Sequence, residues 1–124
     1  PSDDLMNIYT AVKEAQEVAI DYIKTHKTDG FELKKAHELA NSHLGKLGFS
    51  DIPHSLGHGV GLQVHESPMV SPYSDEKLIP GMIITVEPGV YKTGLGGVRI
   101  EDTCLVTENG LDILTASKKD LTII

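Results

Sequence analysis

The chain has 124 residues, of which 40% are hydrophobic and 23% are charged, a composition typical of one globular domain or part of one that excludes a disordered or fibrous protein. The net charge of −7 and the lack of a basic run argue against binding to nucleic acid, which requires Lys and Arg to neutralise phosphates. No window approaches the roughly 18 consecutive apolar residues of a membrane-spanning helix, and the single Cys104 cannot form an internal disulfide. We therefore expect a soluble, cytoplasmic protein with small or peptidic partners and no role at nucleic acids or membranes.

Two amphipathic helices are predicted at the start of the chain. Apolar residues recur at steps of three and four through residues 5–23, which is the period of one helical face, and Ser2 is placed to cap this helix. A second helical pattern covers residues 31–47, and Gly48 is a natural stop. We expect the two helices to pack together as a hairpin.

Short strands are predicted after residue 51, where Gly and Pro become frequent and β-rich runs alternate with turn residues. The predicted strands cover residues 53–56, 61–65, 82–87, 98–106 and 111–114, with looser segments at 67–81 and 92–97. The predicted fold class is α+β, with the helices first and the sheet after them.

Two carboxylates lie in strands that are otherwise apolar. Glu87 ends the run 82–87, on the same face as Thr85, and alternation in 98–106 puts Arg99 and Glu101 on one polar face, with Asp102 pointing away from it. If the two strands are neighbours with these faces aligned, Glu87 and Glu101 confront each other in a partly buried setting. Like charges there are costly unless a proton, an arginine or a metal neutralises them.

Half of the six histidines lie close together in one glycine-rich segment. His54, His58 and His65 lie there among Gly57, Gly59 and Gly61, which allow the backbone to approach a ligand or a neighbouring strand closely. Imidazoles together with carboxylates suit a divalent transition metal. Each residue also fits a structural role when it is taken singly, because a histidine can be hydrogen-bonded in a core and Glu87 can end its strand at the surface.

Three motifs carry a resemblance to a known family. They read HSLGHGVGLQVHE at 54–66, TVEPGVY at 85–91 and GVRIEDT at 97–103. In this order they resemble the Xaa-Pro dipeptidases (prolidases) and Xaa-Pro aminopeptidases of the pita-bread metallopeptidases, a fold group that also contains methionine aminopeptidase and creatinase. The resemblance covers essentially the whole chain. It implies that residues 1–124 form the C-terminal half of a pita-bread catalytic domain, in which two helices precede a mainly antiparallel curved sheet.

The resemblance also implies a set of metal ligands. His58, Glu87 and Glu101 match ligands of two divalent ions, which we expect to be Mn, Co, Fe or Zn, and Glu101 matches the residue that bridges them. Glu87 matches, in addition, the glutamate that accepts and relays a proton during hydrolysis.

Other site residues follow from the same motifs. His65 matches a catalytic histidine that contacts the substrate and stabilises the tetrahedral intermediate, and His54 matches another that lines the substrate pocket. Arg99 is expected either to bind substrate or to fix Glu101 or another acidic group. Together these residues imply a metal-dependent exopeptidase that cleaves dipeptides or N-terminal residues before proline.

One departure from the family bears on activity. The family takes two further ligands from a pair of aspartates about ten residues apart, on a strand before the first helix, and that strand is not in this sequence. The adjacent Asp3 and Asp4 match a helix start instead. We therefore expect the isolated chain to be inactive, to self-associate as a homo-oligomer and to need the missing N-terminal half as its partner.

Two other functions remain open from the sequence. One is a creatinase-like amidinohydrolase, which uses the same fold. The other is a peptidase-like module that binds a protein partner without catalysis. Substrate screening and metal analysis distinguish these alternatives from a peptidase.

Overall fold

The computed structural model describes residues 1–26 and 32–123. Within these ranges the chain forms two helices followed by seven short strands. The helices are α1 (Asp3–Thr25) and α2 (Leu33–Lys46); the strands are β1 (Gly57–Gly59), β2 (Glu66–Val70), β3 (Ile83–Val86), β4 (Gly89–Lys92), β5 (Gly96–Arg99), β6 (Asp102–Thr107) and β7 (Gly110–Ile113).

The predicted helices are confirmed, and so is their packing against each other. The Ser2 hydroxyl accepts a hydrogen bond from the Leu5 amide at 3.4 Å, and both aspartates of the first turn lie where the helix dipole favours them. After α2 the chain turns at Gly48, whose φ of 82° lies in the left-handed region that glycine adopts without strain. The start of the predicted second helix, at Phe31, lies outside the described residues.

The predicted α+β class is confirmed, with an antiparallel sheet after the helices. Five strands form one sheet in the order β2-β1-β3-β6-β7, and β4 pairs with β5 as a separate ribbon. All of these pairings are antiparallel. The two pairs β3–β6 and β4–β5 are consecutive parts of one long hairpin, which is interrupted at residues 87–88 on one side and 100–101 on the other.

Two predicted strands in the histidine segment are wrong. Residues 53–56 and 61–65 are not strands; β1 lies between them, and β2 begins at Glu66 and continues into the stretch 67–81 that was predicted to be looser. Residues 61–66 form a turn instead, in which Gly61 N–H donates to the Gln63 carbonyl and Gln63 N–H donates to the Glu66 carboxylate. The alternating Leu62 and Val64 therefore point into solvent, although their pattern resembles that of a half-buried strand.

The long hairpin also differs from its predicted bounds. The run 82–87 becomes β3 and stops at Val86, while 98–106 is divided between β5 and β6, and the looser segment 92–97 holds the turn of the β4–β5 ribbon. Pro88, which has no N–H to donate to a ladder, occupies one side of the interruption. The predicted alternation survives, since Ile100, Asp102 and Cys104 are all buried.

The core lies between the helices and the sheet. α1 contacts β3, β4, β5 and β7, and α2 contacts β2.

Burial raises the pKa of the Cys104 thiol to about 12, and the neighbouring Asp102 charge adds to this, so the thiol stays protonated. Neither helix of the described ranges is long and apolar enough to cross a membrane. The largest fully buried apolar side chains are Ile8, Leu33, Leu44, Leu56, Ile84, Val12, Val70 and Val86.

A buried ion pair fixes the C-terminal segment to the sheet. Asp102 is fully buried on the face away from Glu101, and its carboxylate lies 2.8 Å from the Lys119 ammonium. The contact has the distance of an ion pair without the angles of a hydrogen bond, so Lys119 stabilises this carboxylate through its charge. The Lys119 carbonyl also accepts a hydrogen bond from the Tyr9 hydroxyl at 3.1 Å.

We expect Lys119→Met to lower the free energy of unfolding by about 2 kcal/mol, because it leaves the Asp102 carboxylate buried without a counter-charge. Lys119 is partly exposed, so this loss is smaller than that expected for a fully buried ion pair. Chemical denaturation measures the change. Lys118→Met, at an exposed neighbouring lysine, is the matched control and should change stability by less than about 0.5 kcal/mol. Equal losses from the two variants would contradict the role of the ion pair.

Candidate metal centre

The three predicted metal ligands converge at the interruption of the long hairpin. Glu87 follows β3, Glu101 precedes β6, and His58 lies on the adjacent strand β1. One ligand atom from each of the three residues lies within 4.8 Å of the other two. The Glu87 amide donates to the Leu56 carbonyl at 2.6 Å, which connects the Glu87 backbone to the chain that leads into β1.

The contacts of the His58 ring fix its proton. Nδ1 lies 2.9 Å from the Gly59 carbonyl, which can only accept, so Nδ1 carries the hydrogen. In the neutral ring Nε2 is then an acceptor, and it lies 3.0 Å from Glu87 Oε1. Two acceptors at this distance need a proton or a cation between them.

Both of these groups are buried and held by neighbours. His58 is 6% exposed and Glu87 is 7% exposed. The Thr85 hydroxyl donates to Glu87 Oε1 at 2.9 Å and accepts from the His58 amide at 3.1 Å. This hydroxyl therefore fixes the carboxylate and the histidine backbone relative to each other, as outer hydrogen bonds do around metal ligands.

The residues present fit a divalent cation. An imidazole nitrogen and two carboxylates suit Mn, Co, Fe or Zn, and the Nδ1 hydrogen bond of His58 leaves Nε2 free to bind the ion. Glu101 is exposed, in contrast to its two partners, so the centre is open on that side of the described chain. Three donors are too few for a complete site of two ions.

Arg99 contacts Glu87. The sequence predicts that Arg99 binds substrate or fixes Glu101 or another acidic group, and Glu87 is such a group. Its Nη1 donates to Glu87 Oε2 at 3.4 Å, and its Nε donates to the Tyr91 hydroxyl at 2.7 Å. His54 Nδ1 lies 2.8 Å from the Ser55 carbonyl and so carries the hydrogen, which leaves His54 Nε2 to accept from the same Tyr91 hydroxyl at 3.0 Å. A chain of hydrogen bonds therefore runs from His54 through Tyr91 and Arg99 to Glu87.

Two residues that make hydrogen bonds in the site, Tyr91 and Thr85, were not assigned a role from the sequence. Tyr91 lies inside the TVEPGVY motif, but nothing in the pattern indicated that its hydroxyl links His54 to Arg99. Thr85 was placed on the face of Glu87, and only the structure gives its two hydrogen bonds. The motif itself was the available signal for both residues.

The remaining predicted residue, His65, lies beside the centre. Its ring centroid is 4.3 Å from that of His58, and the two rings are tilted by 56°. His65 is exposed and lies in the turn at 61–66, so it can meet a ligand that approaches the metal centre from solvent.

An open groove of about 450 Å³ lies next to His54. Its walls include Tyr73, which is exposed, and His37, which is buried. Burial lowers the pKa of the His37 imidazole, which therefore stays neutral near pH 7. The groove offers an aromatic and an aliphatic surface beside the predicted substrate histidine.

Comparison with known proteins gives one consistent result. The model of metallopeptidase family M24 matches residues 1–108. The chain is 44% identical over 122 residues to an Xaa-Pro dipeptidase of Pyrococcus furiosus, covering 98% of this chain and 34% of that protein. It matches the structure of an Xaa-Pro dipeptidase from Bacillus anthracis with a TM-score of 0.90 and 42% identity, covering 100% of this chain and 34% of that one. An X-Pro aminopeptidase from Thermotoga maritima matches with a TM-score of 0.91 and 36% identity, over the same two shares.

The chain spans about a third of the length of these relatives. The match to the solved structures extends over both helices and the sheet, so it supports the predicted half of a pita-bread fold.

Proposed function

The chain belongs to metallopeptidase family M24, and from that premise we propose that residues 1–124 are the C-terminal part of the catalytic domain of an exopeptidase that cleaves dipeptides or N-terminal residues before proline. The convergence of His58, Glu87 and Glu101 on one point carries this proposal. Preference for proline rests on the names of the relatives, which are Xaa-Pro dipeptidases and an X-Pro aminopeptidase.

We propose that His58 Nε2 and the carboxylates of Glu87 and Glu101 hold the catalytic cation. A bound divalent ion lowers the pKa of water and polarises the scissile carbonyl. Glu87 accepts a proton from the attacking water and passes it to the leaving amine. The Thr85 hydroxyl donates to Oε1 and Arg99 donates to Oε2, and together they hold the carboxylate in place.

Substrate contacts are proposed for His65, His54 and Arg99. The exposed His65 imidazole is positioned to donate a hydrogen bond to the carbonyl oxygen as it gains negative charge. His54 lines the groove beside the centre, and Tyr91 fixes its orientation. Arg99 is 45% exposed at its side chain, which leaves guanidinium donors for a substrate carboxylate in addition to Glu87.

The remaining part of the site is proposed to come from an N-terminal half. Its two aspartates would complete a centre for two ions, for which the three donors described above are insufficient. Leu62, Val64 and Ile113 are exposed apolar side chains, and we propose that this half or a second copy covers such positions. The homo-oligomeric state and the cytoplasmic location remain predictions.

The test compares the complete protein that contains this chain with the 124-residue chain alone. Both are assayed on Xaa-Pro dipeptides with added Mn²⁺ or Co²⁺, and a dipeptide without proline is the substrate control. We expect the complete protein to be active and the isolated chain to be at least about a hundredfold slower, because it lacks ligands for the second ion. Equal activity would contradict the proposal that residues 1–124 are an incomplete catalytic unit, and a complete protein that binds no stoichiometric metal would instead support a binding module without catalysis.

A further inference from the structure

The buried face of α1 carries one amide among apolar side chains. Gln16 is 1% exposed, and the neighbouring positions on this face are Val12, Ala15 and Ala19, all fully buried. Burying an amide without hydrogen bonds costs free energy, whereas an alkyl side chain at this position would not. A glutamine at this position is therefore expected to make hydrogen bonds that an alkyl side chain could not make.

Gln16 uses its side chain to bind the two segments that lead to the glutamate ligands. Its Nε2 donates to the Val86 carbonyl at 2.9 Å and to the Ile100 carbonyl at 3.2 Å. Val86 immediately precedes Glu87, and Ile100 immediately precedes Glu101. The amide group of Gln16 therefore binds the two peptide groups that directly precede Glu87 and Glu101.

These contacts fall where the backbone ladder is interrupted. The β3–β6 pairing ends at Val86 opposite Asp102, and the β4–β5 pairing begins at Gly89 opposite Arg99. Between them, Ile100 N–H reaches the Pro88 carbonyl only at 3.4 Å. The distance between the two glutamates is therefore set by a part of the hairpin with little pairing of its own.

We propose that Gln16 is a positioning residue that holds the Val86 and Ile100 peptides together and so sets the separation of the Glu87 and Glu101 carboxylates for one shared cation. The proposal rests on the proposed function, because it assigns the purpose of this separation to metal binding. Gln16 touches neither carboxylate; it acts through the backbone that carries them.

The first measurement is Mn²⁺ affinity by calorimetry in the complete protein. Gln16→Met keeps the length of the side chain and removes both donors, and we expect it to weaken Mn²⁺ binding by about tenfold or more, as is usual when a supporting contact of a metal ligand is lost. Ile23→Ala is the matched control, since it damages the buried face of the same helix two turns away, near the C-terminal end. It should lower stability at least as much and leave Mn²⁺ affinity within about twofold.

The second measurement is amide hydrogen exchange in the metal-free protein. Gln16→Met should speed exchange at residues 87 and 100–102 more than elsewhere, whereas Ile23→Ala should act on the end of α1. Gln16→Asn, whose amide is one methylene too short to reach both carbonyls, is the second variant if Gln16→Met does not fold, and its effects should be in the same direction.

The outcomes separate this inference from the proposed function. Wild-type affinity in a folded Gln16 variant, or a loss no larger than that of Ile23→Ala, overturns the role of Gln16. A wild-type protein that binds no Mn²⁺ overturns the proposed function, and local exchange at 87 and 100–102 then decides the role of Gln16 by itself.

Discussion

Replacing Glu101 by Gln should abolish stoichiometric Mn²⁺ binding in the complete protein and lower the proposed activity on Xaa-Pro dipeptides by at least about a hundredfold. The substitution keeps the shape of the side chain and removes the negative charge that a cation requires. The Glu101 side chain is exposed, and within residues 1–26 and 32–123 its carboxylate forms no hydrogen bond or ion pair, so the change removes no stabilising side-chain contact of the described chain. The thermal midpoint of the metal-free protein should therefore remain close to that of the wild type.

Glu108→Gln is the matched control for this change. Glu108 is an exposed carboxylate in the turn between β6 and β7, and its replacement alters the net charge by the same amount. Metal content measured by elemental analysis, together with kcat/KM, compares the two variants. Full metal content and activity in Glu101→Gln would exclude Glu101 as a ligand.

The helices were predictable from the sequence because their signals are local. A stripe at steps of three and four, a serine at the start and a glycine after the end all act within a few residues, and α1 follows them from its cap to its last turn. α2 ends before Gly48 for the same reason.

The strand bounds were less predictable because they depend on partners distant in the chain. Leu62 and Val64 alternate as a strand does, but a turn closed by Glu66 directs them into solvent. The long hairpin is interrupted beside Pro88, where Gln16 of α1 contacts its backbone. No pattern within residues 82–106 contains that information.

The convergence of His58, Glu87 and Glu101 was predicted from three motifs in order, and the structure brings their ligand atoms together. Support for these residues was harder to predict. A glutamine on the apolar side of a helix resembles an ordinary exception to the pattern, and its two carbonyl partners lie 70 and 84 residues further along the chain.

The glycines of the histidine motif contribute to the site through backbone packing. β1 lies between β2 and β3 in the sheet. A Cβ on Gly57 would collide with the Thr85 carbonyl oxygen and lie 2.7 Å from its carbon, and a Cβ on Gly59 would collide with the Ser67 carbonyl. Both obstacles are backbone atoms, so they cannot move aside as the end of a side chain does.

Gly57→Ala should therefore lower the free energy of unfolding by at least about 3 kcal/mol, the upper end of the usual cost of overpacking, because β1 and β3 must separate to admit the methyl group. The same displacement moves His58 away from Thr85 and Glu87, whose contacts with it are 3.1 and 3.0 Å, so Mn²⁺ binding should weaken together with stability. Denaturant unfolding and calorimetry of the complete protein measure the two effects.

Gly45→Ala is the control for Gly57→Ala, because it makes the same glycine-to-alanine change at a position where the added methyl group meets no other atom. Gly45 lies within α2, and a Cβ there would meet nothing within 4 Å, so alanine should raise stability by up to about 1 kcal/mol through its higher helix propensity. Two glycine-to-alanine changes in one domain are thus expected to have opposite signs. A Gly57→Ala protein as stable as the wild type, with unchanged Mn²⁺ affinity, would show that close packing of β1 on β3 does not hold His58 against Glu87.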